Sequence, residues 1–344
     1  MTGRARALAP VAVLAILAAG CTAPEAPTPR APAPAAPGAS GPAPAGPAAD
    51  VADVVARLAP SVVTVRVGPG VGSGVVYRPD VILTNQHVVG DATDVVIEYA
   101  DGTSSPGQVL ATDAITDLAV VRTARTDLPV PEYRTQLPRP GDPVLAIGSP
   151  LGFEGTVTSG IVSGLNRQIP GSAAQSRALV DLIQVDAAIS PGNSGGALLD
   201  SAGRVIGINE AYIPPAAGAV SIGFAIPAAT AVDIADQLLA DGSATHPYLG
   251  VRLAPLTAEI RRALGVRAEG GVIAAAVEPD GPAAAAGVQP GDVVVAIGER
   301  EIASIEDVLG VLRDAEPGRG TTLGVLRAGE RLDLPITVGA VPGS

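Results

Sequence analysis

Ser190-Pro191-Gly192-Asn193-Ser194-Gly195-Gly196 is the stretch on which this 344-residue sequence turns. A serine with one glycine two residues before it and two directly after lets backbone come close to a ligand. The spacing suits acyl transfer. The Ser194 hydroxyl attacks a carbonyl, and the N–H groups of Gly192 and Ser194 both face the oxyanion that develops. The plain alternative is a glycine-rich turn between two strands. The partners that such a serine needs decide between the two readings.

A serine nucleophile needs a base. The sequence contains no Lys, which excludes a Ser–Lys dyad and Schiff-base chemistry. Its one cysteine, Cys21, lies near the N-terminus, so the rest of the chain offers no disulfide, thiol nucleophile or cysteine zinc site. There are two histidines, His87 and His246. His87 stands in Thr84-Asn85-Gln86-His87-Val88-Val89, just past the apolar strand predicted over 81–84, whereas His246 lies between two domains. An imidazole base also needs an acid to orient it. Asp117, at the head of the apolar strand Leu118-Ala119-Val120-Val121, is the expected one, because a partly buried carboxylate wants a partner. Asp113 is a nearby competitor, further from that strand. The net charge of −12 and pI of about 4.6 argue against a nucleic-acid partner.

The first folded domain is expected over 50–242. Asp50 caps a helix that presents Val51, Val54, Val55 and Leu58 on one face and ends at Pro60. Short β-rich runs at 61–67, 72–77, 81–84, 94–99, 107–112 and 118–122, broken by turn residues, predict an antiparallel barrel. A second set at 143–147, 155–164, 179–185, 197–199, 205–209 and 222–226 predicts another, closed by a helix over 227–240. Two β-barrels leave a cleft between them for a site.

The motifs T-N-Q-H-V-V, T-D-L-A-V-V and S-P-G-N-S-G-G-A-L-L-D, in that order, resemble the HtrA family of trypsin-like serine proteases. V-T-S-G-I-V-S-G-L-N-R and I-G-F-A-I-P extend the likeness. The resemblance implies a mainly β protein: a trypsin-like double β-barrel, then a smaller α+β PDZ domain. It implies His87 as general base, Asp117 as its orienter and Ser194 as nucleophile. Asn193 stands where many secreted relatives carry an Asp that pairs with a freshly cut N-terminus, so activation by such a cut is not expected. Arg167, placed in a loop over 165–176, matches the family's sensor-loop arginine. Substrate backbone is expected to pair with the strand ending Ile208-Asn209-Glu210, and Ile222 and Phe224 to line the primary pocket. The family is usually trimeric.

A second domain is expected over 244–338, with strands at 249–253, 271–277, 293–297, 322–327 and 332–338 and helices over 258–264 and from Ser304. Ser304 and Asp307 form an N-terminal capping box. This domain resembles a single PDZ domain. Tyr248-Leu249-Gly250-Val251 matches the loop whose N–H groups hold a peptide's C-terminal carboxylate. The alternative is a structural β domain that binds no peptide.

The N-terminus reads as an address. Arg4 and Arg6 precede an apolar run over 7–19 and then Gly20-Cys21. Leu17-Ala18-Ala19-Gly20-Cys21 resembles a bacterial lipobox, which makes Cys21 the lipidation site and residues 1–21 a signal peptide. Residues 22–49, mostly Pro, Ala and Gly, are expected to form a disordered tether. Together these readings place an exported, membrane-anchored protein in the bacterial cell envelope.

The expected function is therefore an extracytoplasmic serine endopeptidase acting on unfolded or misfolded polypeptides, with C-terminal peptides as PDZ partners and no cofactor or metal. An α/β-hydrolase is the enzyme rival, since Gly192-Asn193-Ser194-Gly195-Gly196 also fits G-x-S-x-G. That fold needs a helix after the serine and a triad histidine later in the chain. Here strand, turn and strand follow Ser194, and His246 lies in the linker. A non-catalytic peptide-binding scaffold is the rival from another class; it would be expected to lack a triad member, and all three are present.

Overall fold

Asp50 opens the fold as its sequence position predicts. Its carboxylate accepts from the Ala52 N–H at 3.0 Å and caps helix α1 (Val51–Leu58), which buries Val54 and Leu58. The computed structural model describes residues 50–148, 156–169, 179–190, 192–212, 222–266, 268 and 270–341. The expected signal peptide, Cys21 and the expected tether over 22–49 lie outside these residues.

Among the described residues, α1 is followed by two sets of six strands. The first comprises β1 (Val62–Val67), β2 (Gly70–Arg78), β3 (Val81–Asn85), β4 (Asp94–Glu98), β5 (Ser104–Asp113) and β6 (Leu118–Thr123), with the one-turn helix α2 (Gln86–Val89) after β3. The second comprises β7 (Pro143–Gly148), β8 (Thr156–Ile169), β9 (Leu179–Val185), β10 (Ala197–Asp200), β11 (Val205–Tyr212) and β12 (Gly223–Pro227), and ends in helix α3 (Ala228–Asp241). Each set closes into an antiparallel barrel. The strand orders, β1-β2-β3-β6-β5-β4 and β7-β8-β9-β12-β11-β10, are the same topology used twice.

The barrels are filled by small branched side chains in a chain with only two Phe and no Trp. Val65, Ile82 and Ile97 pack inside the first, and Val144, Ile183 and Ile206 inside the second. A larger cluster joins the two: Leu83 and Leu118 from the first barrel meet Ile147 and Ile208 from the second, with Leu58 of α1 and Leu238 of α3. Each such burial contributes about 1.5–3 kcal/mol. The barrels are thus fixed against one another by a third apolar cluster, distinct from the one inside each.

A smaller domain follows: β13 (Pro247–Tyr248), β14 (Val251–Pro255), α4 (Ala258–Leu264), β15 (Val272–Val277), α5 (Pro282–Ala285), β16 (Val293–Ile297), β17 (Arg300–Glu301), α6 (Ile305–Arg313), β18 (Gly320–Arg327), β19 (Glu330–Thr337) and β20 (Gly339–Ala340). Its main sheet runs β14-β15-β16-β18-β19, which leaves β14 at an edge. The capping box is present: the Ser304 hydroxyl accepts from the Asp307 N–H, and the Asp307 carboxylate accepts from the Ser304 N–H at 2.9 Å.

The structure changes two local expectations. Strand β8 continues to Ile169, so Arg167 lies within a strand, opposite Leu182 of β9, rather than in a loop. Residues 170–178 are outside the described set. Tyr248 belongs to β13, paired with Gly339, and the strand predicted from 249 begins at Val251. The positive φ of 73° at Gly250 turns the chain between them.

Candidate active site

Strand β3 delivers His87. The strand ends at Asn85, whose buried amide donates to the Asp117 main-chain carbonyl at 3.0 Å and to Glu210 Oε2 at 2.7 Å. The Gln86 N–H donates to the same Asp117 carbonyl at 3.0 Å, and α2 then sets the ring of His87 beside the Asp117 side chain. Asp117 is fully buried. Its Oδ1 accepts from the His87 main-chain N–H at 2.8 Å, and its Oδ2 lies 2.5 Å from His87 Nδ1. One carboxylate thus fixes both the backbone and the ring of one histidine. Asp117 has a φ of 59°, a left-handed conformation that Asp tolerates better than most residues.

The competitor Asp113 has a different partner. Its Oδ1 lies 3.0 Å from His246 Nε2, and its Oδ2 accepts from the Thr116 N–H at 2.9 Å and from the Thr116 hydroxyl. Burial pushes its carboxyl up, but the hydrogen bonds from His246 and Thr116 outweigh that and hold it below the usual range. Each histidine of the chain therefore faces one acid of the same 113–117 turn, and only Asp117 meets His87.

Ser194 is held at the junction of the barrels by backbone from both. From the first barrel, the Ser73 N–H donates to the Ser194 carbonyl at 2.8 Å, and the Ser73 hydroxyl donates to the Gly192 carbonyl at 2.6 Å. Thr84 in turn donates to the Ser73 carbonyl at 2.6 Å. From the second barrel, the Gly195 N–H donates to the Asn209 carbonyl at 2.8 Å, and the Asn209 N–H donates to the Gly196 carbonyl at 2.8 Å. Gly195 cannot carry a side chain here: its φ is 83°, and a Cβ would lie 2.1 Å from the Ser73 carbonyl oxygen. Gly192 also takes a positive φ, 101°. The Ser194 hydroxyl donates to the Glu210 carbonyl at 2.7 Å. Asn193 is fully buried, and neither polar atom of its amide has a hydrogen bond among the described residues.

Ser73, Thr84 and Asn85 hold the candidate site in place, and sequence reasoning missed them. The Gly72-Ser73-Gly74 triplet was the available signal for the first: the two glycines admit close packing around the serine, and a Cβ on Gly74 would lie 2.4 Å from Ile82 Cγ2.

The three residues of the expected substrate strand differ in what already binds them. Ile208 and Asn209 are fully buried, and their main chain is committed to the interior. Ile208 pairs with Ala197 and Ile226, while Asn209 holds the serine loop and its amide donates to the Ile147 and Ala197 carbonyls. Of the three, Glu210 alone bonds the Ser194 hydroxyl. Its side chain is 3% exposed and turns inward to the His87–Asp117 pair. Phe224 is also buried, in the core shared by the barrels, with Ile222 half-buried against it.

The second domain meets the first through α6. The Asn166 amide donates to the Glu306 carbonyl at 3.0 Å, Arg167 Nη1 lies 3.5 Å from Glu306, and Arg313 Nη1 lies 3.1 Å from Asp181 of β9. Burial pushes Asp181 up to about 7 despite that guanidinium. In the 248–251 loop, the Leu249 and Gly250 carbonyls accept from Ala283 at 2.8 Å and Glu278 at 2.9 Å, and the Tyr248 hydroxyl bonds the Glu278 carboxylate.

Comparison with known proteins agrees with this architecture. Residues 72–208 match the trypsin-like peptidase domain family, and residues 247–338 match the PDZ domain family. A probable periplasmic serine endoprotease DegP-like of Brucella suis is 38% identical over 275 residues, which are 79% of this chain and 53% of the relative. The chain thus spans about half the length of that relative. The putative serine protease HhoB of Synechocystis is 38% identical over 283 residues, 79% of this chain and 67% of the relative. Among solved structures, the HtrA-type protease AlgW with a tripeptide superposes with a TM-score of 0.71 at 36% identity, covering 85% of this chain and 98% of that one.

Proposed function

Because the chain belongs to the HtrA-type serine protease family, we propose that it is a serine endopeptidase that cleaves unfolded or misfolded polypeptides. The observation that carries the reading is the meeting of three groups at Glu210. The Ser194 hydroxyl bonds its carbonyl at 2.7 Å, and His87 Nδ1, itself 2.5 Å from Asp117, lies 4.0 Å from its carboxylate. A nucleophile, an imidazole and an orienting acid therefore converge where the barrels join.

The chemistry follows from these positions. A substrate amide N–H that takes the Glu210 carbonyl displaces the Ser194 hydroxyl, which then turns to His87. His87 Nε2 accepts the serine proton while Oγ bonds the scissile carbon. The N–H groups of Gly192 and Ser194 receive the oxyanion. Collapse expels the amine, which takes the proton from His87. Water then repeats the sequence on the acyl-enzyme. Asp117 keeps the Nδ1 proton in place and supports the imidazolium.

In this reading residues 50–242 form the catalytic domain, and 244–338 form a PDZ domain that takes C-terminal peptides along the β14 edge beside α6. Ile222 and Phe224 shape the primary pocket. Tyr248-Leu249-Gly250-Val251 receives the carboxylate, and Arg167, paired with Glu306 of α6, is the link to control. Residues 1–21 with Cys21, the 22–49 tether, an envelope location and homotrimeric assembly complete the proposal.

A fluorophosphonate probe tests the reading directly: the native protein is expected to be labelled on Ser194. A folded protein that stays unlabelled is a scaffold, not an enzyme. The control function has its own test. A free peptide with an apolar C-terminal residue is expected to raise cleavage of a separate reporter. Amidating its carboxylate should weaken the effect, and deleting residues 244–344 should abolish it. Equal responses from the truncated and full-length proteins would leave the PDZ domain as a tether or cap.

A further inference from the structure

We propose that Glu210 is a positioning residue of the triad, held as a neutral carboxylic acid that donates to Asp117 while its other oxygen accepts from Asn85. The inference rests on the serine-protease reading above. It starts from the placing of two acids where one negative charge has a partner. Asp117 is fully buried and Glu210 is 3% exposed. With His87 Nδ1 they offer ligand-type atoms within 4.8 Å of one another. The ring N–H and the main-chain N–H of His87 are both committed to Asp117. Glu210 Oε2 takes the Asn85 amide at 2.7 Å, so Oε1 is the atom left facing the pair, 4.0 Å from His87 Nδ1.

The other elements packed on β11 supply no cation. Beside Glu210 on β11, Ile208 pairs with Ala197 of β10 and Asn209 with Ala225 of β12, and neither partner is charged. On α3, Asp233 bonds Gln237, and Asp236 bonds Tyr77 and Arg78. Among the described residues, the titratable groups facing Glu210 are Asp117 and His87. Burial first, then the charge of Asp117 and the hydrogen bond to it, push the Glu210 carboxyl well above the usual carboxylate range. Two carboxylates this close do not both ionise, and sharing one proton is the low-energy arrangement. A metal ion ligated by both His87 and Asp117 would hold those ligand atoms about 3 Å apart, and they stand at 2.5 Å.

The arrangement has a mechanistic consequence. As a neutral donor, Glu210 gives Asp117 a third hydrogen bond and fixes its rotation without adding charge. An ionised Glu210 would instead put a second anion beside His87. It would favour the imidazolium and hold the base protonated, and so inactive, to higher pH.

The test compares pH profiles of kcat/KM, normalised to sites titrated by a fluorophosphonate. Loss of labelling in the wild-type protein would end the serine-protease reading, and is separate from the outcomes for Glu210. Glu210→Gln keeps a neutral donor and an acceptor, so its acid limb is expected to superimpose on that of the wild type, with kcat within about threefold. Glu210→Leu removes the donor, so kcat is expected to fall about ten- to a hundredfold with KM little changed. An acid limb displaced downward by about one unit or more in Glu210→Gln would show that Glu210 is ionised in the working enzyme. Full kcat in Glu210→Leu would show that it positions nothing. Should Glu210→Leu fail to fold, the Glu210→Gln profile still decides the charge state on which the proposal stands.

Discussion

A Ser194→Ala protein is expected to fold normally and to lose cleavage of casein by about 10⁶-fold, the scale seen when a triad serine is removed. The size of the loss follows from the division of labour. Without Oγ there is no acyl-enzyme, and the remaining donors accelerate only direct attack by water. The retained fold follows from how the loop is tied. Ser73 holds the Ser194 and Gly192 carbonyls, and Asn209 holds the Gly195 N–H and the Gly196 carbonyl. None of these bonds uses the Ser194 hydroxyl, whose partner among the described residues is the Glu210 carbonyl. Thermal melts of the two proteins should therefore agree within a few degrees. Turnover of casein by purified Ser194→Ala at the wild-type rate would remove the central claim.

The sequence was informative where the signal is local. The strands of both barrels are short branched runs between turn residues, and their observed bounds fall within a few residues of the expected ones. The capping boundary at Ser304 is local in the same way, because Ser304 and Asp307 bond each other. The choice of His87 came from scarcity, since two histidines leave little room for error. Ser73, Thr84 and Asn85 escaped for the opposite reason. They act on residues from 11 to 125 positions away, through hydroxyl and amide donors whose distant partners the local sequence does not name.

Glu210 shows the limit most clearly. Its place on a strand near the serine was legible, and suggested substrate pairing. Its direction was not, because strand alternation tells which residues share a face but not what the other barrel brings to that face. Asn85 arrives from the end of β3 and Asp117 from the turn before β6. Arg167 was misplaced for a related reason. The expected strand stopped at Gly164 and put Asn166 and Arg167 in a loop, yet β8 carries register shifts around 164–167 that let the strand continue past them.

Asp117→Asn is expected to lower kcat by about 10⁴-fold in a folded protein, while Asp113→Asn leaves kcat within about tenfold. The substitution at 117 preserves shape, and Asn accepts the left-handed φ of 59° found there. Its oxygen can still accept the His87 main-chain N–H that Asp117 Oδ1 takes at 2.8 Å. Its amide then faces His87 Nδ1 in place of the oxygen at 2.5 Å. An amide donates where the carboxylate accepted, so the ring is left with its proton on Nε2, the nitrogen needed to take the serine proton. The base is lost by tautomer, not by misplacement, and support for the imidazolium goes with it. Asp113 lies four residues away on the same turn, but its ring partner is His246 at 3.0 Å. Changing it loosens the attachment of the turn to the second domain and does not reverse a hydrogen bond at His87. Steady-state kinetics at a pH where a free histidine is neutral, about 8, separates the two. Equal losses in Asp113→Asn and Asp117→Asn would mean that the turn as a whole, and not the Asp117 carboxylate, prepares His87 for its proton.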